Sequence, residues 1–195
     1  MKYYIRKSIA AVATMILVAL PIQAQDNARI NYIRKVYKEA VANADKNADT
    51  KLTVTQRAKA DKGIDVTTLD FFYLIEIIEG PDIPFCKLNL LRRTSKGSGN
   101  SYEEFLYDPE DESLLFYFTS FEQEKGIKCE TRWYANGNGD GTSYQVSKYT
   151  DTKTGKDVSE RYKDYIGMPW DEGFLNRFAR DMQEAFNHLT LRGWD

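Results

Sequence analysis

Hydrophobic residues recur at three- and four-residue steps near both ends of the chain, which is the spacing of one face of an α-helix. In the first stretch this stripe opposes charged residues such as Arg34, Lys38 and Glu39. The second stretch follows Asp171, a residue type that caps helices, and Gly193 is placed to end it. The stripes consist of Ile30, Ile33, Val36, Tyr37, Ala40, Val41 and Ala44, and of Phe174, Phe178, Met182, Ala185, Phe186 and Leu189. The spacing predicts an N-terminal and a C-terminal amphipathic helix.

Between these helices, apolar and polar residues alternate, which is typical of strands that bury one face. Stretches rich in glycine, asparagine, aspartate and proline separate the alternating runs and are typical of turns. The runs cover residues 52–60, 85–93, 101–107, 114–121, 127–135 and 143–149. This pattern predicts a curved antiparallel β-meander of about five to seven strands, packed with the two helices in an α+β fold.

Residues 66–79 fit either a strand or a helix. As a helix, Thr67 followed by Asp70 resembles a capping box, and Gly80 with Pro81 would end it. The aromatic and β-branched content favours a strand instead. One face of that strand is wholly apolar, with Leu69, Phe71, Tyr73, Ile75 and Ile77.

The N-terminus has the pattern of a secretory signal peptide. Three basic residues precede an apolar run, Ile9–Leu20, which is too short to span a bilayer comfortably and is followed by Pro21. We predict a signal peptide over residues 1–24, cleaved after Ala24, and a single α+β domain over residues 25–195. An uncleaved membrane anchor is the alternative. The expected location is periplasmic or secreted, with no membrane anchor after cleavage.

The net charge of the chain makes some classes of binding partner less favourable than others. The 195-residue chain has a formal net charge of −2, and removal of residues 1–24, which carry three basic and no acidic side chains, changes it to −5. Nucleic acids and anionic membranes attract basic surfaces. The composition therefore argues against non-specific binding to either of them.

The chain contains two cysteines, Cys86 and Cys129. In an oxidising compartment such a pair predicts a disulfide, and two buried free thiols are the alternative. Strand alternation places both side chains on the more apolar face. A simple meander would not make their two strands neighbours, so a disulfide would require the sheet to curl or the strands to pair out of order.

One polar stretch resembles a calcium-binding loop, with Asp45, Asn47 and Asp49 at the first, third and fifth ligand positions. The sixth position is Thr50 rather than glycine, and the twelfth is Gln56 rather than a bidentate carboxylate. These departures favour a solvated connection between the first helix and the next strand. Calcium is the alternative, and no other cofactor is predicted.

Catalytic residue sets are scarce. His188 is the single histidine and lies in the second helix, where it suits the negative end of the helix dipole. Glu103 and Glu104 point to alternate faces of one strand, and no spacing singles out a pair of acidic residues across a cleft. We therefore predict a protein that is not an enzyme, with a carboxylate-based hydrolase as the alternative.

Large aromatic side chains occupy both faces of the central strands. One face needs a helix as cover, and the other forms either a second core layer, which we favour, or a binding surface. The candidate binding residues on such a surface are Tyr107, Tyr117, Trp133, Tyr134 and Tyr144. The resulting functional prediction is a non-enzymatic binding protein that recognises a protein, peptide or glycan through an aromatic sheet face and acidic loops.

The stretches Tyr102–Asp108, Leu114–Phe118 and Glu130–Tyr134 read YEEFLYD, LLFYF and ETRWY. This block resembles a group of small secreted proteins from Bacteroidota-type bacteria, which carry it behind a signal peptide and an N-terminal helix. The resemblance implies the strand layout and an exported location. It implies no activity, and no functional residues are transferred from it.

Overall fold

The structure is a computed structural model of the chain. The predicted signal peptide, Asn47, Asp49 and Gly193 lie outside the residues that it describes. Those described residues are 28–46, 50–61, 63–78, 83–137, 142–165 and 171–191.

The predicted α+β fold is confirmed, with seven strands between two long helices. The elements are α1 (Ala28–Lys46), β1 (Lys51–Ala60), β2 (Gly63–Ile78), β3 (Ile83–Lys96), β4 (Ser101–Tyr107), β5 (Leu114–Glu124), β6 (Ile127–Tyr134), β7 (Tyr144–Asp151), a 3-10 helix (Ser159–Tyr162) and α2 (Glu172–Leu191). Residues 66–78 belong to β2, which settles the ambiguity of the 66–79 segment in favour of a strand.

The strands form one antiparallel sheet in the order β1-β2-β3-β4-β5-β6-β7. Short turns explain this order, because a tight connection returns the chain beside the strand that it has just left. The register shifts where β2 meets β3, where β4 meets β5 and where β5 meets β6. Such bulges increase the local twist.

The two helices cover opposite faces of the sheet, so the molecule has three layers. Neighbouring residues of β4 show the division, since Leu106 packs with α1 and Phe105 packs with α2. The α1 face includes Phe72, Leu90, Leu106, Phe116 and Tyr134, and the α2 face includes Phe71, Leu91, Phe105, Tyr117 and Trp133. The second aromatic face is therefore a second core layer, which is the alternative that the sequence favours.

Helix α1 packs through the predicted stripe. Ile30, Ile33, Val36 and Ala40 are buried against the α1 face. Burial of one such isoleucine or valine side chain contributes roughly 1.5–3 kcal/mol, so this stripe stabilises the helix against the sheet.

Helix α2 begins as predicted, because Asp171 Oδ1 accepts a hydrogen bond from the Phe174 amide at 2.7 Å. Its most buried side chains are Leu175, Ala179 and Phe186. Leu189, a predicted member of the stripe, is 51% exposed, so that assignment is wrong.

Neither described helix combines the length and the hydropathy needed to cross a bilayer.

The predicted disulfide is wrong, because Cys86 and Cys129 are free thiols. Cys86 lies on β3 and Cys129 on β6, so β4 and β5 separate them. Three strand spacings amount to about 14 Å, whereas a disulfide requires Cα atoms within about 7 Å of each other. Alternation places side chains on a face of the sheet but does not bring distant strands together.

Candidate functional site

The aromatic residues predicted to bind a partner belong to the core. Tyr107, Tyr117, Trp133 and Tyr134 are each at most 5% exposed. Tyr144 is half-buried, with its ring centroid 6.0 Å from that of Tyr134. The prediction of a binding face built from these rings is therefore corrected, because a helix covers each face of the sheet.

The acidic loop between β4 and β5 stabilises its own turn. Asp108 is buried, and its Oδ1 accepts a hydrogen bond from the Glu110 amide at 2.9 Å. Asp111 Oδ1 accepts one from the Ser113 amide, and hydrogen bonds from Ser113 lower the pKa of Asp111. Gln183 of α2 donates to Glu112, which ties the loop to the helix.

Of the calcium ligands suggested by the sequence, Asp45 alone lies within the described residues. It is exposed at the end of α1, and its Oδ1 is 3.5 Å from Arg92 Nη1. Across the described parts of the chain, no group of three or more histidine, cysteine, aspartate or glutamate side chains is arranged to hold a metal ion.

Glu103 and Glu104 are the most deeply buried carboxylates in the described residues, at 3% and 2% exposure. Because they are consecutive in β4, they lie on opposite faces of the sheet. They do not converge on one cleft, which is the arrangement that a carboxylate-based hydrolase requires.

On the α1 face, Glu104 accepts hydrogen bonds from Tyr37 of α1, from Tyr102, and from Arg92 Nε at 3.0 Å. Burial and the nearby Glu104 carboxylate raise the pKa of Tyr37 above its ordinary value, and the same two causes raise that of Tyr102. This group of hydrogen bonds connects α1 to the sheet.

On the α2 face, Glu103 accepts hydrogen bonds from Tyr117 at 2.7 Å and from Arg93 at 2.9 Å. The Arg93 guanidinium also lies 5.6 Å from the centre of the Phe178 ring, within range of a cation–π interaction. Removal of one partner from such a buried ion pair is strongly destabilising, because the other charge stays buried without compensation.

An open groove remains at the β7 edge of the sheet, where the segment after β7 folds back over the α2 face. The segment is anchored by backbone hydrogen bonds from Thr152 to Gly126 at 2.8 Å and from Val158 to Tyr149 at 2.9 Å. The groove has a volume of about 440 Å³ and is lined by Gln145, Ser147, Tyr149, Ser159, Tyr162, Lys163 and Tyr165.

Three tyrosines form the aromatic part of this β7 groove. The rings of Tyr149 and Tyr162 stack with centroids 4.5 Å apart and planes 15° apart. Tyr165 meets Tyr162 edge-on at 6.5 Å and is 60% exposed. The groove thus has a stacked pair of rings, of which Tyr149 is buried, and an accessible ring, Tyr165, at its rim.

The polar lining of the β7 groove is held by local hydrogen bonds. Ser159 Oγ accepts from the Tyr149 amide at 2.9 Å and donates to Asp157, whose pKa is lowered by its hydrogen bonds from Ser159. The Ser147 and Thr131 hydroxyls are 2.9 Å apart. Lys163 pairs with Glu160 at 3.1 Å, and both are exposed.

The Tyr149 hydroxyl is buried within the described structure and makes no hydrogen bond to an oxygen or nitrogen atom. The Cys129 thiol, a weak acceptor, lies near it. Burial, followed by the interaction with this thiol, raises the pKa of Tyr149. A buried hydroxyl without a strong partner is uncommon in proteins. Because Tyr149 is only 1% exposed, this hydroxyl lies beneath the groove surface, and Tyr162 and Tyr165 present the accessible rings.

Sequence reasoning missed the β7 groove because residues 151–163 read as a polar connection between the sheet and α2. The available signal was Tyr162 and Tyr165 interleaved with charged residues. Aromatic side chains in a polar connection indicate either packing or recognition. Their partner Tyr149 lies on β7, and only the fold brings the three rings together.

Comparison of the chain with protein-family models, with curated proteins and with solved structures finds no match.

Proposed function

We propose that this protein is an exported, non-enzymatic binding protein that takes a glycan in the β7 groove. The observation that carries the proposal is the combination of three adjacent tyrosines with amide, hydroxyl and ammonium groups in one open groove. Sites for small ligands combine aromatic surface with a few polar groups that fix orientation.

The chemistry of a sugar matches this lining. The C–H groups of a pyranose face carry partial positive charge and suit the negative face of an aromatic ring, which Tyr165 presents at the rim. Sugar hydroxyls both donate and accept hydrogen bonds. Gln145 and Ser147 offer both kinds of group, and Lys163 offers donors.

The proposed location is the periplasm or the exterior of the cell. It is supported by the N-terminal pattern of basic residues, an apolar run and a cleavage-like site with the aliphatic Ile22 and the small Ala24. Envelope and extracellular glycans are the sugars that a protein in this location meets.

A glycan array followed by calorimetry on the best ligand tests the function. We expect Tyr165→Ala and Gln145→Ala each to weaken binding by about tenfold or more, because each removes a direct contact. Tyr165→Phe should retain most of the affinity, since the ring is preserved. Ile64→Ala, at an exposed site on β2 away from the groove, is the matched control. Failure of the wild-type protein to bind any glycan, or equal binding by Tyr165→Ala, would contradict the proposal.

A further inference from the structure

Strand β1 is an open edge of the sheet. Its one strand partner among the described residues is β2. In its second half, Thr55–Lys59, side chains on both faces are exposed, so neither helix covers it. A free edge presents unpaired backbone N–H and C=O groups to an incoming strand.

The side chains of β1 give this edge a charge. Lys51, Arg57 and Lys59 lie on the same face because they occupy alternate positions, and β1 contains no acidic residue. Lys51 Nζ pairs with Asp70 at 3.0 Å. Within the described structure, Arg57 and Lys59 form no ion pair, so they are the two cations available to a partner.

Apolar residues accompany these two cations. Lys59 is paired across the ladder with Ile64, and Arg57 with Val66. Ile64 is 63% exposed and Val66 is half-buried. The nearby acid Asp65 lies on the other face and accepts hydrogen bonds from the Ser98 amide and hydroxyl. The face of Arg57 and Lys59 is therefore basic with an apolar centre.

We propose that the β1 edge binds an extended acidic segment of another protein by strand addition. The added strand would hydrogen-bond to β1 and place acidic side chains, at alternate positions, beside Arg57 and Lys59. Backbone pairing supplies affinity and the side chains supply specificity in this mode of recognition.

A second copy of the chain suits this edge poorly. Antiparallel pairing of two β1 strands about Thr55 would place Lys51 opposite Lys59, and like charges directly opposite each other destabilise a sheet. Basic side chains on an edge strand hinder self-association in general. An acidic partner removes that repulsion.

The test uses a fluorescent ten-residue peptide that alternates glutamate and valine, and a matched peptide that alternates lysine and valine. Fluorescence anisotropy with the full-length protein should detect the acidic peptide and not the basic one. The R57E/K59E double variant should bind the acidic peptide about tenfold or more weakly and should gain binding of the basic peptide. This reversal cannot arise from misfolding.

Two controls separate strand addition from general charge attraction. The K35E/K38E double variant makes the same charge change on the exposed side of α1 and should leave binding unchanged. Two versions of the acidic peptide, one N-methylated at the odd backbone amides and one at the even amides, test the backbone pairing. One of the two should lose binding, because only alternate N–H groups of an added strand face β1 and these must be free to donate. Amide exchange in β1 should slow on binding.

The proposal is overturned if the acidic peptide does not bind, if K35E/K38E weakens binding as much as R57E/K59E, or if both methylated peptides bind like the parent. A peptide-free dimer through β1 in sedimentation experiments would overturn it as well. The test is independent of the β7 groove, which lies at the opposite edge of the sheet.

Discussion

The two faces of the sheet hold their helices by different means. On the α1 face, a helix side chain, Tyr37, donates a hydrogen bond to the buried Glu104. On the α2 face, the helix meets the strands through rings and backbone, since the ring centroids of Phe178 and Phe105 are 5.3 Å apart and the Ala179 carbonyl accepts a hydrogen bond from Tyr107 at 2.9 Å. The Gln183 side chain of α2 donates to Glu112, which lies in the β4–β5 loop and not in a strand. The sheet has a buried glutamate–arginine pair on both faces.

The two kinds of contact have different effects: one fixes the position of a helix, and the other supplies most of the stability. Apolar packing is roughly proportional to buried area and tolerates small shifts, whereas a hydrogen bond to a charged group fixes distance and direction. We therefore expect the Glu104 hydrogen bonds to set where α1 sits, and the aromatic core to carry most of the stability on the α2 side.

The largest expected effect comes from removing the buried carboxylates. Glu104→Ala should lower the free energy of unfolding by about 3–5 kcal/mol, because the half-buried Arg92 and two half-buried tyrosine hydroxyls lose their acceptor. Urea denaturation measures this loss. Amide hydrogen exchange should also become faster in α1.

The matched control is Glu103→Ala on the other face. It should lower stability as well, because Arg93 loses its buried partner, but it should leave exchange in α1 close to that of the wild type. Equal acceleration of α1 exchange in both variants would show that the two helices are held in the same way.

A smaller effect is expected for Tyr37→Phe. It removes one hydrogen bond to a charged group, for a loss of about 1.5–3 kcal/mol at neutral pH. The pKa of Tyr37 is raised in the folded state, so above the ordinary tyrosine pKa of about 10 the unfolded chain releases a proton that the folded protein keeps. Stability should therefore fall as the pH rises above this value.

Urea titrations between neutral and strongly alkaline pH measure that dependence. Tyr37→Phe removes one group that releases its proton on unfolding. The free energy of unfolding should therefore fall less steeply with pH, by up to about 1.4 kcal/mol per pH unit. Tyr144→Phe, at a half-buried tyrosine on the same face, is the control. An unchanged slope in Tyr37→Phe would contradict the role assigned to its hydroxyl.

The smallest effect is expected for Asp45→Asn. The Asp45 side chain is 65% exposed and its carboxylate is 3.5 Å from Arg92, so the ion pair should contribute less than about 1 kcal/mol and should weaken in high salt. Thermal denaturation with and without 1 M sodium chloride (about a 3 Å screening length) measures it. A larger loss, or a wild-type melting temperature that rises with millimolar calcium, would show that Asp45 does more than pair with Arg92.

The elements were predictable because their signals are local. The 3.6-residue period of the Ile30 to Ala44 stripe identifies α1, and the alternation of YEEFLYD identifies β4. The aromatic and β-branched content resolved β2 correctly even though a capping-box pattern competed with it. Short turns made the sequential strand order the simplest topology.

The site was less predictable because it depends on contacts between distant segments. The sequence left open whether Tyr117 and Trp133 belong to a second core layer or to a binding surface, and the placement of α2 makes them core. Alternation along the strands placed Cys86 and Cys129 on a shared face, but it carries no information on how many strands lie between them. The β7 groove requires Tyr162 to fold back onto Tyr149, a contact between segments that have no common periodicity.

By itself, the sequence determined where the helices and strands form, because periodicity is a property of neighbouring residues. Alternation also indicated which residues of a strand share a face, except across the bulges of β3 and β5, where Leu88 and Leu90 lie on opposite faces and Leu115 and Phe116 share one. The tertiary structure decided that α1 and α2 cover opposite faces of the sheet, and so which aromatic rings are buried and which remain accessible. Both faces of the central strands are apolar, so their alternation cannot tell which helix covers which face. That choice depends on the fit of side chains across layers, and among the described residues it leaves the β1 edge and the β7 groove uncovered by either helix.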